Sequence, residues 1–168
     1  SRIAIEIEWL IFLVNELKLQ GSQPLTDEQT QSLRKLYTEF KEDFALEVKE
    51  IEKETNHDVK AVEYFLQEAL RLLKREDLIP FLHFACTSED INNLAYANML
   101  KRGIGEVLIP QFEEVLKAYK YFAEHYQDLP MLARTHGQAA SPTTLGKEFK
   151  NIGARLFRQL ELLKTQEY

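Results

Sequence analysis

Apolar residues recur at helical spacing in four stretches of the first half of the chain. These stretches are residues 3–19, 26–40, 44–51 and 58–75. Gly21 and Pro24 follow the first stretch and favour the end of a helix there. Thr26 and Gln29 have the spacing of a capping box, in which two residues satisfy each other's backbone N–H groups. We therefore predict a series of short helices before residue 76.

The second half of the chain predicts two long helical elements. Thr87, followed three positions later by Asp90, has the pattern of a helix start. The apolar positions continue past Pro110, where we expect a bend or a short break. Ser141 as the N-cap, with Pro142 at the first helical position, predicts the start of the last helix.

No segment alternates polar and apolar residues for long enough to form a convincing sheet, and residues 128–142 are predicted to form a loop. The sequence therefore predicts an all-α fold. Because the early helices are short and the later ones long, we predict a small N-terminal helical domain, residues 1–82, and the first long helices of a central helical bundle, residues 83–168. Two long helices leave apolar faces exposed, so their partners belong to another chain or to a continuation of this one.

Composition and charge narrow the possible partners. An apolar fraction of 45% and a charged fraction of 29% are typical of a globular protein. The net charge of −6 argues against nucleic-acid binding, and an anionic small molecule would have to be held by local donors. Since we find neither an apolar run of membrane-spanning length nor a signal peptide, we expect a cytoplasmic protein with no membrane partner. The single Cys86 fits a reducing compartment.

Two polar clusters lie at predicted helix starts, where backbone N–H groups are free to face a ligand. The first is Asn56-His57-Asp58. Either this helix start binds an anion, or Asn56 or Asp58 merely caps the helix and His57 is solvated. The second, Thr87-Ser88, offers two hydroxyls to a carboxylate or phosphate, although capping alone would explain one of them.

A third cluster, Arg134-Thr135-His136-Gly137-Gln138, lies in the predicted loop. An imidazole in such a setting acts as a general acid or base near neutral pH, and we assign Thr135 and Gln138 to substrate binding. The alternative is an ordinary surface turn.

Metal and cofactor sites are not predicted. His83 and Cys86 have no ligand-like spacing to another His, Cys or acid, and we interpret them as core or connector residues. The sequence contains no P-loop, dinucleotide fingerprint or nucleophile elbow.

In this order, the three clusters resemble motifs of the fumarase/aspartase superfamily and, within it, the bacterial branch of the adenylosuccinate lyases. The matching stretches are IEKETNHDVKAVEY at 51–64, HFACTSEDINN at 83–93 and RTHGQ at 134–138, followed by residues 142–144 and 146–148. Residues 138–141 depart from the family by reading QAAS, where it usually has QPAT. The resemblance covers essentially the whole chain.

The resemblance implies a reaction that needs no cofactor. It is the β-elimination of fumarate from adenylosuccinate, giving AMP, and from the succinyl-carboxamide ribotide of purine biosynthesis. His136 matches the family's general acid, and His57 matches a second histidine that assists binding and positions the acid. The matched substrate-binding positions are Asn56, Asp58, Thr87 and Ser88.

The resemblance also implies that part of the active site lies elsewhere. In the family the general base is a serine in a downstream glycine-rich loop, and three subunits of a homotetramer build each active site. Since nothing like that loop occurs here, we predict that the isolated chain is inactive. The helical pattern at residues 160–168 stops without a terminator, which favours a truncated lyase over a non-catalytic helical interaction module. Another lyase of the same superfamily is a further alternative.

Overall fold

Helices make up 72% of the computed structural model, which describes residues 1–167. The α-helices are α1 (Arg2–Ile11), α2 (Asp27–Thr38), α3 (Glu42–Thr55), α4 (Asp58–Leu72), α5 (Ser88–Arg102), α6 (Ile109–His125) and α7 (Leu145–Lys164). Shorter helical segments are a π-helical turn (Phe12–Glu16), a 3-10 helix (Glu76–Phe81) and a second π-helical segment (Gly103–Leu108). Strands β1 (Pro130–Thr135) and β2 (Gln138–Thr144) pair antiparallel. The predicted all-α class is confirmed, with this small sheet as the exception.

Internal contacts divide the chain into two compact units, Ser1–Met99 and the residues from Leu100 onward. The predicted domain boundary between residues 82 and 83 is a different division and stays a prediction. Within residues 1–167, none of the helices is both long and apolar enough to cross a membrane.

The core of the first unit is built largely from one face of α1 and one face of α4. Ile7 and Leu10 on α1, and Leu66 and Leu70 on α4, are each at most 1% exposed. Their spacing of three and four residues places each pair on one face of its helix. Burial of each such side chain contributes about 1.5–3 kcal/mol. Glu6 lies within the same buried face of α1 and is itself fully buried.

The turn between α3 and α4 places His57 at the start of α4. Helix α3 ends at Thr55, and its C-cap residue Asn56 has a left-handed backbone with φ of 50°. Asn tolerates this conformation better than most residues do. Because α4 begins only two residues later, at Asp58, the intervening His57 occupies the N-cap position. Upstream, the predicted capping box of α2 is confirmed, with both reciprocal hydrogen bonds between Thr26 and Gln29 present.

The predicted irregularity near Pro110 takes the form of the π-helical segment Gly103–Leu108. The N–H of Ile109 donates to the carbonyl of Ile104, five residues back. Pro110 follows directly, in the first turn of α6, and has no N–H to donate. The π-helical segment therefore ends next to Pro110, the residue that cannot donate the backbone N–H of a regular α-helix.

The predicted loop at residues 128–142 is wrong, because most of it forms the β1–β2 hairpin. The hairpin turn consists of His136 and Gly137, whose φ angles are both positive, at 49° and 75°. Two-residue type I′ turns require this combination. The burial alternation of β1 extends over only six residues, which is too short for periodicity alone to separate a strand from a loop.

The predicted start of the last helix at Ser141 and Pro142 is also wrong. Both residues lie in β2, where Pro142 pairs with Leu132. Helix α7 begins at Leu145, with Thr144 as its N-cap. Since a two-stranded sheet consists of edge strands, the missing N–H of a proline is tolerated there.

The first turn of α7 packs directly against the end of α6 in the second unit. The N–H of Gly146 donates to the Tyr126 carbonyl at 2.8 Å, and the N–H of Leu145 donates to the Leu129 carbonyl at 3.0 Å. A Cβ atom at Gly146 would lie only 2.4 Å from the Ala123 carbonyl oxygen. This close approach requires glycine, and it anchors the end of the hairpin to α6.

Candidate functional site

His57 is bonded through both of its ring nitrogens. Its Nδ1 accepts the backbone N–H of Lys60 at 3.2 Å, and its Nε2 lies 3.3 Å from Ser88 Oγ. Because Nδ1 is an acceptor, the neutral ring carries its proton on Nε2, on the side that faces Ser88. The alternative in which Asn56 or Asp58 caps α4 and His57 is merely solvated is therefore wrong. His57 is itself the cap, and it joins the starts of α4 and α5.

Thr87 and Ser88, at the start of α5, use their hydroxyls differently. Thr87 donates from its backbone N–H and from its hydroxyl to Asp90 Oδ2, at 2.7 Å and 3.0 Å. These two bonds, the backbone one first, lower the pKa of Asp90. The Ser88 hydroxyl instead faces His57. Local contacts therefore occupy Thr87, whereas Ser88 belongs to the cluster around His57.

Asp58 is held from two sides. Its Oδ1 accepts the Val59 N–H at 2.8 Å, and its Oδ2 forms a 2.8 Å salt bridge with Arg2 of α1. Arg2 also donates from Nε to Asn92 Oδ1 at 2.6 Å, and it lies 3.4 Å from the Tyr96 hydroxyl. Sequence reasoning missed Arg2, Asn92 and Tyr96, because local patterns do not show contacts between residues so distant along the chain.

A buried carboxylate holds the connector that precedes α5. Glu6 Oε1 lies 2.7 Å from His83 Nδ1, and within residues 1–167 no group hydrogen-bonds to its other, buried oxygen. Burial raises the pKa of Glu6 against the opposing hydrogen bond from His83. Trp9 Nε1 donates to the Phe84 carbonyl at 2.9 Å. His83 is thus a connector residue, as predicted, but its acidic partner was missed. The one available signal was a Glu within the apolar face of α1.

His136 lies at the tip of the β1–β2 hairpin in the second unit, and it is exposed. Within the described part of the chain, no group hydrogen-bonds to its ring. Thr135 and Gln138 pair across the strands beside the tip and are also exposed. Arg134 approaches the Gly137 carbonyl at 3.5 Å. The backbone turn therefore positions the imidazole, without support from neighbouring side chains.

The predicted site residues form two groups, one in each unit. The first group lies at the starts of α4 and α5 and consists of Asn56, His57, Asp58, Thr87 and Ser88. The second, at the hairpin tip, consists of Thr135, His136 and Gln138. The first group lies at two helix N-termini, where the positive ends of the helix dipoles favour an anion. The second presents an accessible imidazole, which is suited to proton transfer.

Comparison with known proteins assigns the chain to a family. The protein family described as Lyase matches residues 2–167. The chain belongs to the Lyase family. This lyase-family chain is similar to curated adenylosuccinate lyases. It is 44% identical over 167 residues to that of Vibrio cholerae, covering 99% of the chain and 37% of the relative. For the relative from Escherichia coli the identity is 41%, with the same coverage. The chain thus spans about 37% of the length of these relatives.

Solved structures resemble the fold of this lyase-family chain. Fumarate lyase from Mesorhizobium sp. BNC1 has a TM-score of 0.74 at 18% identity, covering 97% of this chain and 36% of that one. Beta-carboxy-cis,cis-muconate cycloisomerase from Acinetobacter calcoaceticus has a TM-score of 0.69 at 16% identity, with the same coverage. At such low identity these likenesses establish the fold alone.

Proposed function

We propose that this chain is the N-terminal part of an adenylosuccinate lyase. The full protein eliminates fumarate from adenylosuccinate to leave AMP, and it carries out the same elimination on the succinyl-carboxamide ribotide of purine biosynthesis. The observation that carries the proposal is the identity of 44% to the Vibrio cholerae adenylosuccinate lyase across 99% of the chain. All three polar clusters lie within that match.

The first group of residues suits the binding of an anionic substrate. His57 and Ser88 stand at two helix N-termini whose dipoles favour carboxylate or phosphate groups. The neutral His57 ring offers a donor at Nε2, and the Ser88 hydroxyl offers another. In the proposed complex these donors turn from each other toward the substrate.

The second group supplies the acid. A base removes the proton from the carbon β to the leaving nitrogen, and the negative charge that develops spreads into the adjacent carboxylate. The electron pair then forms the double bond of fumarate while the C–N bond breaks. His136 donates a proton to the departing nitrogen, and an exposed imidazole at a hairpin tip is accessible for that transfer.

The base and further substrate contacts belong to other parts of the full protein in this proposal. The family's serine base lies in a downstream glycine-rich loop, and the active site is completed by other subunits of a cytoplasmic homotetramer. The isolated 168-residue chain is therefore expected to be inactive.

Turnover assays on two proteins test the proposal. The full-length protein that contains this sequence is compared with the isolated chain, and fumarate release from each substrate is measured. The full-length protein is expected to release fumarate from both, and the isolated chain from neither. A full-length protein without turnover contradicts the proposed function, whereas fumarate release by the isolated chain contradicts only its expected inactivity.

A further inference from the structure

Arg2 joins three helices of the first unit at the candidate site. From α1 it reaches Asp58 Oδ2 at the start of α4, at 2.8 Å, and Asn92 Oδ1 on α5, at 2.6 Å. Its guanidinium carbon lies 5.8 Å from the centre of the Tyr96 ring, a cation–π geometry. A planar guanidinium with several fixed donors is suited to such a junction, and a lysine ammonium is not.

The face of α5 that Arg2 contacts is also the face that meets His57. Ser88, Asn92 and Tyr96 follow one another at intervals of four residues, which places them on one side of the helix. Ser88 meets His57 at 3.3 Å, and the next two turns meet Arg2. Arg2 thus fixes the same surface of α5 that brings Ser88 to His57.

The charge of Asp58 is the second reason to assign Arg2 a role. Asp58 adjoins His57 directly, so its carboxylate stands beside the proposed anion site and would repel an anionic substrate if it were left unpaired. The side chains of Arg2 and Asp58 are 30% and 37% exposed, so solvent screens the pair only in part.

We propose that Arg2 is a positioning residue of this site, which holds Asp58 and the Asn92–Tyr96 face of α5 in place and offsets the Asp58 charge beside His57 and Ser88. This inference rests on the proposed function, because it concerns the approach of an anionic substrate. Its effect is on substrate binding rather than on proton transfer.

The test measures KM and kcat for adenylosuccinate in the full-length protein. Arg2→Gln is expected to raise KM about tenfold and to change kcat by less than about twofold, since the chemistry is performed by other groups. Arg2→Lys retains the charge but not the planar guanidinium with its fixed donors, so its KM should lie between those of Arg2→Gln and the wild type. The matched control is Arg34→Gln, which breaks the 2.7 Å pair with Glu8 elsewhere on α1 and should leave both constants unchanged.

Asp58→Asn separates charge compensation from a general loss of structure. Introduced into the Arg2→Gln variant, it removes the uncompensated charge and should lower KM. In the wild type Arg2 already offsets that charge, so Asp58→Asn removes only the ion pair that positions Arg2 and should raise KM. Additive effects of the two substitutions would overturn the inference, as would equal KM values for Arg2→Gln and Arg34→Gln. A wild-type protein without turnover would instead refute the proposed function, and the inference would fall with it.

Discussion

The two groups of candidate residues are held in place by different means. In the first unit, His57, Asp58 and Thr87 each make at least two hydrogen bonds or ion pairs with their own unit. In the second unit, His136 is placed by a backbone turn with positive φ, and within residues 1–167 its ring has no hydrogen-bond partner. Stability and function are therefore expected to be coupled at His57 and separable at His136.

The largest expected effect on stability is at the anchor of the hairpin. Gly146→Val would place a Cβ 2.4 Å from the Ala123 carbonyl oxygen and 2.6 Å from Gln127 Cα. Because backbone cannot yield as a side chain can, we expect a loss of about 3 kcal/mol in the free energy of unfolding, measured by urea denaturation.

Gly153→Ala on the same helix is the control. Its Cβ would meet Tyr119 Cβ at 3.4 Å, an ordinary contact, so the better helix propensity of Ala should stabilise the protein by about 0.5–1 kcal/mol. Equal effects of the two substitutions would show that α7 does not approach α6 as closely as described.

A smaller effect is expected at the cap of α4. His57→Ala removes the acceptor for the Lys60 N–H and should cost about 1 kcal/mol in the free energy of unfolding. A double-mutant cycle with Ser88→Ala should give a coupling of about 0.5 kcal/mol, because the two side chains are in contact. The control His125→Ala changes an exposed residue of α6 and should stay within about 0.5 kcal/mol of the wild type. If the effects of the two substitutions on the free energy of unfolding were strictly additive, they would contradict a stabilising contact between His57 and Ser88.

The smallest expected effect is a pH dependence that arises from Glu6. Because burial raises the pKa of Glu6 in the folded protein above its ordinary value of 4.5, the unfolded chain releases this proton first as the pH rises. The contribution of Glu6 to the free energy of unfolding therefore falls as the pH rises from 4.5 through the folded pKa. Glu6→Gln should abolish this component, so its stability relative to the wild type should increase as the pH rises through that window. Parallel pH profiles of the two proteins, measured by urea unfolding, would contradict the raised pKa.

Periodicity was sufficient to predict the helices but not the hairpin. Apolar residues repeat over almost three turns in α1 and about four turns in α4, whereas β1 offers six residues of weak alternation. One local signal was available, since Gly137 follows His136 and glycine is common at the second position of a two-residue hairpin turn. Pro142 was misleading, because proline suits both a first helical position and an edge strand.

The sequence motifs were enough to propose candidate site residues, but not to predict the contacts that support them. His57, Ser88 and His136 lie in recognisable stretches, while Arg2 and Glu6 act through residues far along the chain. Such contacts depend on how helices pack against one another, and a short stretch of sequence does not predict that packing. Only the presence of Glu6 within an apolar face hinted at a buried partner.

The most direct test of the account is the turnover of the full-length protein with His136→Asn. Asn tolerates the positive φ of this position, so the free energy of unfolding should stay within about 0.5 kcal/mol of the wild type. Loss of the proposed general acid should lower kcat for fumarate release by about 10²–10⁴-fold, whereas His125→Asn should leave kcat unchanged. Unchanged turnover in the His136→Asn protein would contradict the assignment of His136 as the acid.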